Sequence, residues 1–310
     1  MDIKAAALRF RNKFSYSLPL RLIQKLKHFR YQGPKKLPPE QIVILSPRVR
    51  RITADNSGAF TGPGTNTYLV GHESVTVIDP GPPSRAHIKA IEKACAGRLK
   101  RILVTHTHCD HSPAAKLLSK RTGVPVWGMK APNTPFQDTS FEPAHELCDD
   151  ELIVDENYTL RVVYTPGHAS NHFCFILEQE RMIFAGDQIM NGSTVVIAPP
   201  DGNMREYLES LKRLKQYPLE VIAPAHGDLL EEPMAVVDWL INHRGKREQK
   251  VINALKSVGE GTLDKLLTKV YDEVDKRVYM FAKLSLQAHL IKLVEEGRVE
   301  LQGTIYRWKQ

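Results

Sequence analysis

Between residues 41 and 232 the hydrophobic positions fall into short β-branched runs that Gly, Pro and Asp interrupt. Such runs are typical of strands, and the stretches between several of them have apolar residues at helical spacing. Strands that alternate with helices predict a layered α/β domain over 41–232. The predicted strands are 42–45, 67–70, 75–78, 101–104, 160–164, 173–178, 181–185 and 219–223, and the predicted helices are 84–96, 113–122 and 204–216.

Beyond residue 232 the pattern becomes helical. Helical spacing fits 233–257, 262–272 and 279–296, and a hairpin is predicted over 298–308 around Gln302-Gly303. Three helices followed by a small hairpin are the layout of a winged helix-turn-helix. We therefore predict a winged-helix-like C-terminal domain over 233–310.

Residues 1–40 form a basic N-terminal extension in which Arg and Lys are mixed with Leu, Phe and Ile. Three interpretations stay open: a packed extension, an anchor on a membrane surface, and a targeting segment. The segment has few serines and no clear cleavage signal, which favours the first two.

Charge is distributed unevenly along the 310 residues, although the net charge is +8. Residues 1–36 carry ten Lys and Arg against one acid, and 243–310 carry fourteen against nine. The middle is acidic, with 19 basic and 25 acidic residues. The basic ends predict contact with a polyanion or a membrane surface, while the acidic middle does not favour nucleic acid.

Cysteine usage and hydropathy bear on location. The four cysteines have no paired spacing, no secretory signal is visible, and no apolar run reaches the roughly 18 residues that a membrane span needs. We expect reduced thiols and a cytoplasmic location, with the mitochondrial matrix or peripheral membrane association as alternatives.

The strongest chemical signal is the segment 105–111, which reads THTHCDH and directly follows a predicted buried strand. Imidazole and carboxylate ligands suit Zn²⁺ and, less specifically, iron or manganese. In an extended chain the rings of His106 and His108 point to the same side, whereas Cys109 should turn away and pack inside. Only 12 histidines occur in the chain, so three within six residues are unexpected by chance.

Three more polar residues follow predicted strands. His168 comes after the strand at 160–164, Asp187 after 181–185, and His226 after 219–223. Open α/β sheets place their ligands at the carboxyl ends of strands. Each of these residues alone is a weak signal, and their shared position strengthens all three.

The segment 105–111, followed by His168, Asp187 and His226 in this order, resembles the ligand pattern of the metallo-β-lactamase-fold hydrolase superfamily. The resemblance covers roughly 42–232. The resemblance implies an α/β (α+β) fold, a four-layer αβ/βα sandwich with two Zn²⁺ at one edge, where Fe or Mn could substitute. It implies that Asp187 bridges the two metals, an aspartate that true zinc β-lactamases do not have there. The implied ligands are His106, His108 and His168 for one metal, and Asp110, His111 and His226 for the other.

A finer resemblance is to the β-lactamase-like protein 2 subfamily, in which a winged-helix-like tail follows the metal domain. It rests on 64–70 (GTNTYLV), 79–81 (DPG), His172 and the C-terminal domain. The group includes a mitochondrial endoribonuclease acting on single-stranded RNA, and it resembles fungal polyketide thioesterases. Where the endoribonuclease members carry an acid just before the His172 position, this chain has Asn171.

Further roles follow from the resemblance and from elementary chemistry. Asp79 is expected to hold a metal-ligand histidine, and Asn66 either faces the substrate or forms a turn. Asp110 and His172 are the predicted catalytic residues: Asp110 orients the nucleophile, and His172 donates a proton or binds the oxyanion. For His172 a buried structural role has equal weight.

These observations predict a dinuclear zinc-dependent hydrolase that uses a metal-bridging hydroxide. We expect an ester or thioester (acyl-type) substrate, because the middle of the chain is acidic and Asn171 replaces the acid. The alternative is an endoribonuclease-like phosphodiester hydrolase on single-stranded RNA, with Arg277, Lys283 and Lys292 near phosphates and Tyr279 or Phe281 stacking on bases. A non-catalytic module or a redox flavo-di-iron relative fits less well, since all seven ligands are present and no flavin-binding domain follows.

Overall fold

The computed structural model describes residues 37–58, 60–273 and 279–309. The predicted N-terminal extension therefore lies outside the described residues except for its last four. The helices are α1 Arg85–Cys95, α2 Pro113–Thr122, α3 Met204–Leu214, α4 Pro233–Val258, α5 Leu263–Val270 and α6 Tyr279–Glu295. The strands are β1 Ile42–Ile44, β2 Val49–Thr53, β3 Asn66–Val70, β4 Val75–Ile78, β5 Leu99–Leu103, β6 Val126–Gly128, β7 His145–Glu146, β8 Leu152–Val154, β9 Thr159–Tyr164, β10 Phe173–Leu177, β11 Met182–Gly186, β12 Val221–Pro224, β13 Leu230–Glu231, β14 Glu260–Thr262, β15 Val299–Gln302 and β16 Ile305–Trp308.

Two mixed sheets carry the first domain. One has seven strands in sequence order, β1 to β7, and its pairing changes from antiparallel to parallel at β4–β5. The other has six strands in the order β13-β12-β11-β10-β9-β8. In this second sheet β11 and β12 are parallel, and β10 is antiparallel to both β9 and β11.

Apolar residues on both faces of each sheet produce four layers. Tyr68 and Leu103 of the first sheet meet Phe175 and Phe184 of the second in one buried cluster between the sheets. The outer face of the first sheet packs on α1 and α2, and that of the second packs on α3 and the start of α4. Strands buried on both faces need such cover on each side. These layers confirm the predicted αβ/βα sandwich.

The C-terminal part has its own core. Residues of α4, α5 and α6 and of the three-stranded sheet β14-β16-β15 form a separate hydrophobic cluster. The predicted three helices and hairpin are confirmed, and β14 is an additional strand that pairs with β16.

The predicted start of the second domain at 233 falls at the first residue of α4. The first half of this helix, with Val236 and Leu240, packs in the core of the sandwich, whereas Val251 and Leu255 pack in the C-terminal core. Helix α4 is therefore shared by both cores. Among the described residues no helix is both long and apolar enough to cross a membrane.

Candidate metal centre

Strand direction brings the candidate ligands to one edge of the sandwich. Because β10 is antiparallel to β9 and β11, and β12 is parallel to β11, the strands β9, β11 and β12 end at the same edge. His168, Asp187 and His226 follow these three ends. The segment 105–111 lies between β5 and α2 and meets them from the first sheet.

Three imidazoles form the first group. His106 Nε2 lies 2.9 Å from His108 Nδ1, and His168 Nε2 lies 3.0 Å from the same atom. In a tetrahedral zinc site with Zn–N bonds of about 2.0 Å, ligand nitrogens lie roughly 3.3 Å apart. The spacing of this group is close to that of a zinc site.

The second group combines imidazole and carboxylate. His226 Nε2 lies 3.2 Å from Asp110 Oδ2, and His111 Nε2 lies 3.4 Å from the same oxygen. Both histidine side chains are almost completely buried, whereas Asp110 is partly exposed at the mouth of the site.

Asp187 lies between the two groups. Its Oδ2 is 3.5 Å from His168 Nε2, and its Oδ1 is 3.2 Å from His226 Nε2 and 3.7 Å from His111 Nε2. One carboxylate oxygen thus faces each group, which is the arrangement that a bridging ligand requires.

The donor set fits divalent cations. Three sets of ligand atoms lie within 4.8 Å of one another: His106, His108 and His168; His106, His111 and Asp187; Asp110, His111 and His226. His111 Nε2 and Asp187 Oδ1 are buried with no hydrogen-bond partner. Buried polar atoms are normally paired, so two such atoms in one cluster of imidazoles and carboxylates fit the binding of a cation.

Backbone and side-chain acceptors orient the rings. His168 Nδ1 donates to Val196 O at 2.8 Å, and His226 Nδ1 lies 3.3 Å from Gly64 O. A carbonyl accepts only, so Nδ1 carries a proton in both rings, and Nε2 is the nitrogen that lies toward the cluster. His108 differs from the other histidines, because its Nδ1 faces the cluster.

Asp79 orients two parts of the site at once. Its Oδ1 accepts from the Thr105 amide at 2.7 Å, and its Oδ2 accepts from Thr105 Oγ1 at 2.8 Å and His111 Nδ1 at 3.0 Å. Asp79 has a φ of 50°, a left-handed conformation that Asp tolerates better than most residues. Its carboxylate contacts a candidate metal-ligand histidine, the position expected for Asp79.

Electrostatics separate the two groups. Burial, together with the neighbouring His168, lowers the pKa of His108 to about 3, and burial holds the pKa of His106 well below its usual value. Burial lowers the pKa of His168 as well. The first group is therefore uncharged at neutral pH, with lone pairs free to bind a cation.

The second group behaves in the opposite way. Burial alone would lower the pKa of His226, but the carboxylates of Asp187 and Asp110 outweigh it and raise that pKa to about 10. The same carboxylates raise the pKa of His111 against the effect of burial. A divalent cation at this position would replace these protons as the partner of the carboxylates.

His172, for which a catalytic and a structural role were both predicted, lies buried beneath Asp187. The side chain is fully buried. Its Nε2 accepts from the Asp187 amide at 3.1 Å, so Nδ1 must donate to Thr165 Oγ1 at 2.8 Å. With both nitrogens occupied, the ring cannot transfer a proton to a substrate. Of the two predicted roles the geometry favours the structural one.

Two further expectations change. Asn66 is fully buried, and its Nδ2 donates to Pro224 O and Gly227 O at 2.9 and 2.7 Å, on either side of His226. It therefore holds the His226 loop and has no surface toward a substrate. Cys109 was expected to pack inside, but it is exposed, because the turn after His108 swings it outward.

Asn171 is held by the loop that precedes β7. It is buried, and its Nδ2 donates to Thr107 Oγ1 at 2.7 Å, Met129 O at 3.3 Å and Lys130 O at 3.2 Å. Thr107 stands between the candidate ligands His106 and His108 in the chain. Asn171 therefore joins the ligand segment to this loop.

Some supporting residues carry no signal in the sequence. Thr105 and Thr165 are found only from their hydrogen bonds to Asp79 and His172. Gly186 has a φ of 49°, and a Cβ there would lie 2.6 Å from His172 Nε2. Only glycine lets the backbone of Asp187 approach this ring.

Comparison with known proteins finds relatives of both parts of the chain. The metallo-beta-lactamase superfamily matches residues 60–226, and the beta-lactamase associated winged helix domain matches residues 262–308. A beta-lactamase-like protein 2 homolog from Caenorhabditis elegans is 32% identical over 271 residues, covering 84% of this chain and 89% of that protein. An atrochrysone carboxyl ACP thioesterase from Aspergillus chevalieri is 32% identical over 295 residues, covering 89% of this chain and 91% of that protein.

Solved structures share the fold. A metallo-beta-lactamase family protein from Thermus thermophilus has a TM-score of 0.71 at 23% identity, covering 86% of this chain and all (100%) of that one. A beta-lactamase domain protein from Burkholderia ambifaria has a TM-score of 0.74 at 20% identity, covering 91% of this chain and 96% of that one.

Proposed function

Because this chain belongs to the metallo-beta-lactamase superfamily of hydrolases, we propose that it is a dinuclear zinc-dependent hydrolase of an ester or thioester. The observation that carries the proposal is the cluster of seven histidine and aspartate side chains at one edge of the sandwich. Iron or manganese would fit the same ligand types less specifically.

Each side chain has a proposed task. His106, His108 and His168 would bind one cation, and Asp187 would hold it close to the second. The second cation would be bound by Asp110, His111 and His226. Two divalent cations bound there would supply a hydroxide nucleophile near neutral pH and polarise the bond under attack.

The partly exposed Asp110 carboxylate is the proposed orienting group of the reaction. It is more exposed to solvent than Asp187, and Thr65 Oγ1 donates to its Oδ2 at 3.3 Å. An acceptor held at the mouth can orient the attacking water. Asp79 acts through His111 and Thr105 and is a positioning residue.

The acyl-type substrate is supported by the thioesterase named among the relatives. Of the three basic residues predicted to contact RNA, Arg277 lies outside the described residues, and the other two are paired. Lys283 pairs with Asp264, and Lys292 pairs with Glu248 and Glu296. Hydrolysis of RNA therefore remains an outcome of the test. Contact of the N-terminal extension with a membrane surface or polyanion is a separate proposal.

The test measures bound metal and hydrolysis together. The purified chain is assayed by elemental analysis, on a panel of acyl thioesters, and on single-stranded RNA. We expect two metal ions per chain and thioester cleavage that His108→Ala and Asp187→Ala abolish. His72→Ala is the matched control, because this exposed histidine binds only Pro47 O in the described structure.

The outcomes are distinct. Cleavage of RNA but not of thioesters, lost in the same two variants, would replace the acyl proposal by the ribonuclease one. A single bound metal in the active protein would overturn the dinuclear assignment.

A further inference from the structure

Two loops that contact the candidate metal centre carry exposed aromatic side chains. Among the described residues, the exposed large aromatic side chains are Phe60, 59% exposed, and Phe136, 75% exposed. Single exposed apolar residues are ordinary on a protein surface. Here each of them belongs to a loop whose other atoms contact candidate ligands or their neighbours in the chain, so their position needs an explanation.

Phe60 is linked to the second group of ligands. It lies on the loop that ends at Gly64 and Thr65. Gly64 O lies 3.3 Å from His226 Nδ1, and Thr65 Oγ1 donates to Asp110 at the same distance of 3.3 Å.

Phe136 is linked to the first group. Its carbonyl accepts from Cys109 Sγ at 3.1 Å, and the next residue, Gln137, forms an isolated bridge with His108. Phe136 has a φ of 72°, a conformation that is strained for a bulky side chain. Such strain at an exposed aromatic residue beside a cluster of ligands favours a functional role.

The C-terminal domain reaches the same mouth through α6. The rings of Phe60 and Phe281 pack edge to face, with centroids 4.7 Å apart. Met280, the neighbour of Phe281 in the chain, is 66% exposed. Helix α6 therefore adds apolar surface directly beside the Phe60 loop.

The other end of α6 is fixed on the opposite side of the site. Glu295 pairs with Arg205 at 2.9 Å, at the start of α3. There the Asn203 amide donates to Gly167 O at 2.8 Å, next to His168. A helix of 17 residues is about 25 Å long, so α6 extends from the His226 side of the centre to the His168 side.

We propose that Phe60, Phe136, Met280 and Phe281 form a binding surface for the apolar acyl group of the substrate. In this arrangement α6 sets the acyl-chain preference of a metal centre that lies in the other domain. This inference rests on the proposed hydrolysis of an acyl substrate and adds the chemical class of the acyl group: medium or long, and apolar.

The test compares chain lengths. Metal-loaded protein is assayed with acetyl, hexanoyl and decanoyl thioesters of N-acetylcysteamine. A contact that holds the acyl chain equally in the ground state and the transition state raises KM and leaves kcat unchanged when it is lost. We expect Phe60→Ala and Phe281→Ala to raise KM for the decanoyl substrate about tenfold and to leave the acetyl substrate unaffected.

The controls separate binding from folding. Phe281 also packs on the C-terminal core, so its truncation could unfold that part, whereas Phe60 is a largely exposed loop residue. Phe281→Leu should restore the decanoyl KM. Ile44→Ala removes an apolar residue on β1 that is 76% exposed, more than Phe60, and should leave KM for all three substrates unchanged. If Phe60→Ala and Phe281→Ala raise KM equally for all three substrates, or for none of them, the inference is overturned.

A binding measurement separates this inference from the proposed function. Binding of decanoate and acetate to metal-loaded protein is measured by calorimetry with the same variants. If no thioester is cleaved but decanoate binding weakens in Phe60→Ala and Phe281→Ala, the proposed function fails and the apolar surface stands. If thioesters are cleaved but neither KM nor decanoate binding changes, the function stands and the apolar surface fails.

Discussion

At the scale of single residues, the carboxylate of Asp79 accepts hydrogen bonds from the Thr105 amide, Thr105 Oγ1 and His111 Nδ1. These three bonds join the turn after β5 to a candidate metal ligand. Groups of this kind orient a metal-bound imidazole and increase its basicity.

Asp79→Asn should weaken metal binding by about 10–100-fold. Asn tolerates the same left-handed backbone, but its amide group replaces one acceptor by a donor and so opposes either Thr105 or His111. Competition with a chelator measures the affinity. Asp238→Asn is the control, because Asp238 is 61% exposed and pairs only with Lys215 in the described structure. Unchanged affinity in Asp79→Asn would show that His111 does not need this partner.

Asn171 is a buried amide that donates to two backbone carbonyls, whereas the carboxylate of Asp79 only accepts hydrogen bonds. In Asn171→Asp a carboxylate would face these carbonyl oxygens without a donor. We expect a loss of about 3 kcal/mol in the free energy of unfolding at neutral pH.

The pH dependence of this variant has a definite sign. Burial would raise the pKa of the new carboxyl in the folded state, so the destabilisation should shrink as the pH falls and the group is protonated. Chemical denaturation at several pH values measures it, with the exposed Asn157→Asp as control. A variant as stable as the wild type at neutral pH would contradict the contacts assigned to Asn171.

At the scale of elements, α4 and α6 are joined by a buried polar contact. Glu248 on α4 accepts from Lys292 Nζ at 2.8 Å and lies 3.3 Å from His289 Nδ1, both on α6. Burial alone would raise the pKa of Glu248, but these hydrogen bonds outweigh it and lower that pKa to about 2 from 4.5. A carboxyl with a lowered folded-state pKa stabilises the fold above its unfolded pKa.

Glu248→Gln should therefore reduce the free energy of unfolding by about 1–2 kcal/mol, a value discounted for partial solvent screening. The difference in the free energy of unfolding between the variant and the wild type should reach its full size above pH 4.5. It should disappear as the pH falls toward 2. Urea titrations over this range measure it. Glu220→Gln removes an exposed ion pair with Arg181 and should have almost no effect. A difference independent of pH would exclude the charge of Glu248 as the cause.

At the scale of the whole molecule, helix α4 joins the two cores. Its 26 residues carry Leu240 in the sandwich core and Leu255 in the C-terminal core. Because one continuous helix belongs to both cores, we expect the described domains to unfold together.

Leu240→Ala and Leu255→Ala test this coupling. Each truncation leaves a cavity and should cost about 2–5 kcal/mol. Calorimetry should show one transition that both variants shift to lower temperature. The appearance of two transitions, each moved by one variant only, would show that the cores unfold independently.

Several strands escaped prediction for physical reasons. The residues of β2 include Arg50 and Arg51, which look like surface residues in the sequence. Both are buried, because Arg50 donates to Ala94 O and Gly71 O and Arg51 pairs with Asp228. The strands β7, β8, β13 and β14 have only two or three residues each. These are too few for an alternation of apolar and polar residues to be recognised.

Periodicity and ligand chemistry are local properties, so the alternation of strands and helices, the helical C-terminal part and the seven candidate ligands can be recognised in the sequence. The burial of Asn66, Asn171 and His172, which favours a structural role for each, follows only from the tertiary fold. Their roles depend on which distant backbone atoms lie within hydrogen-bond distance, and chain folding alone sets those distances. The sharing of α4 between two cores and the meeting of Phe60 with Phe281 are contacts of the same long-range kind.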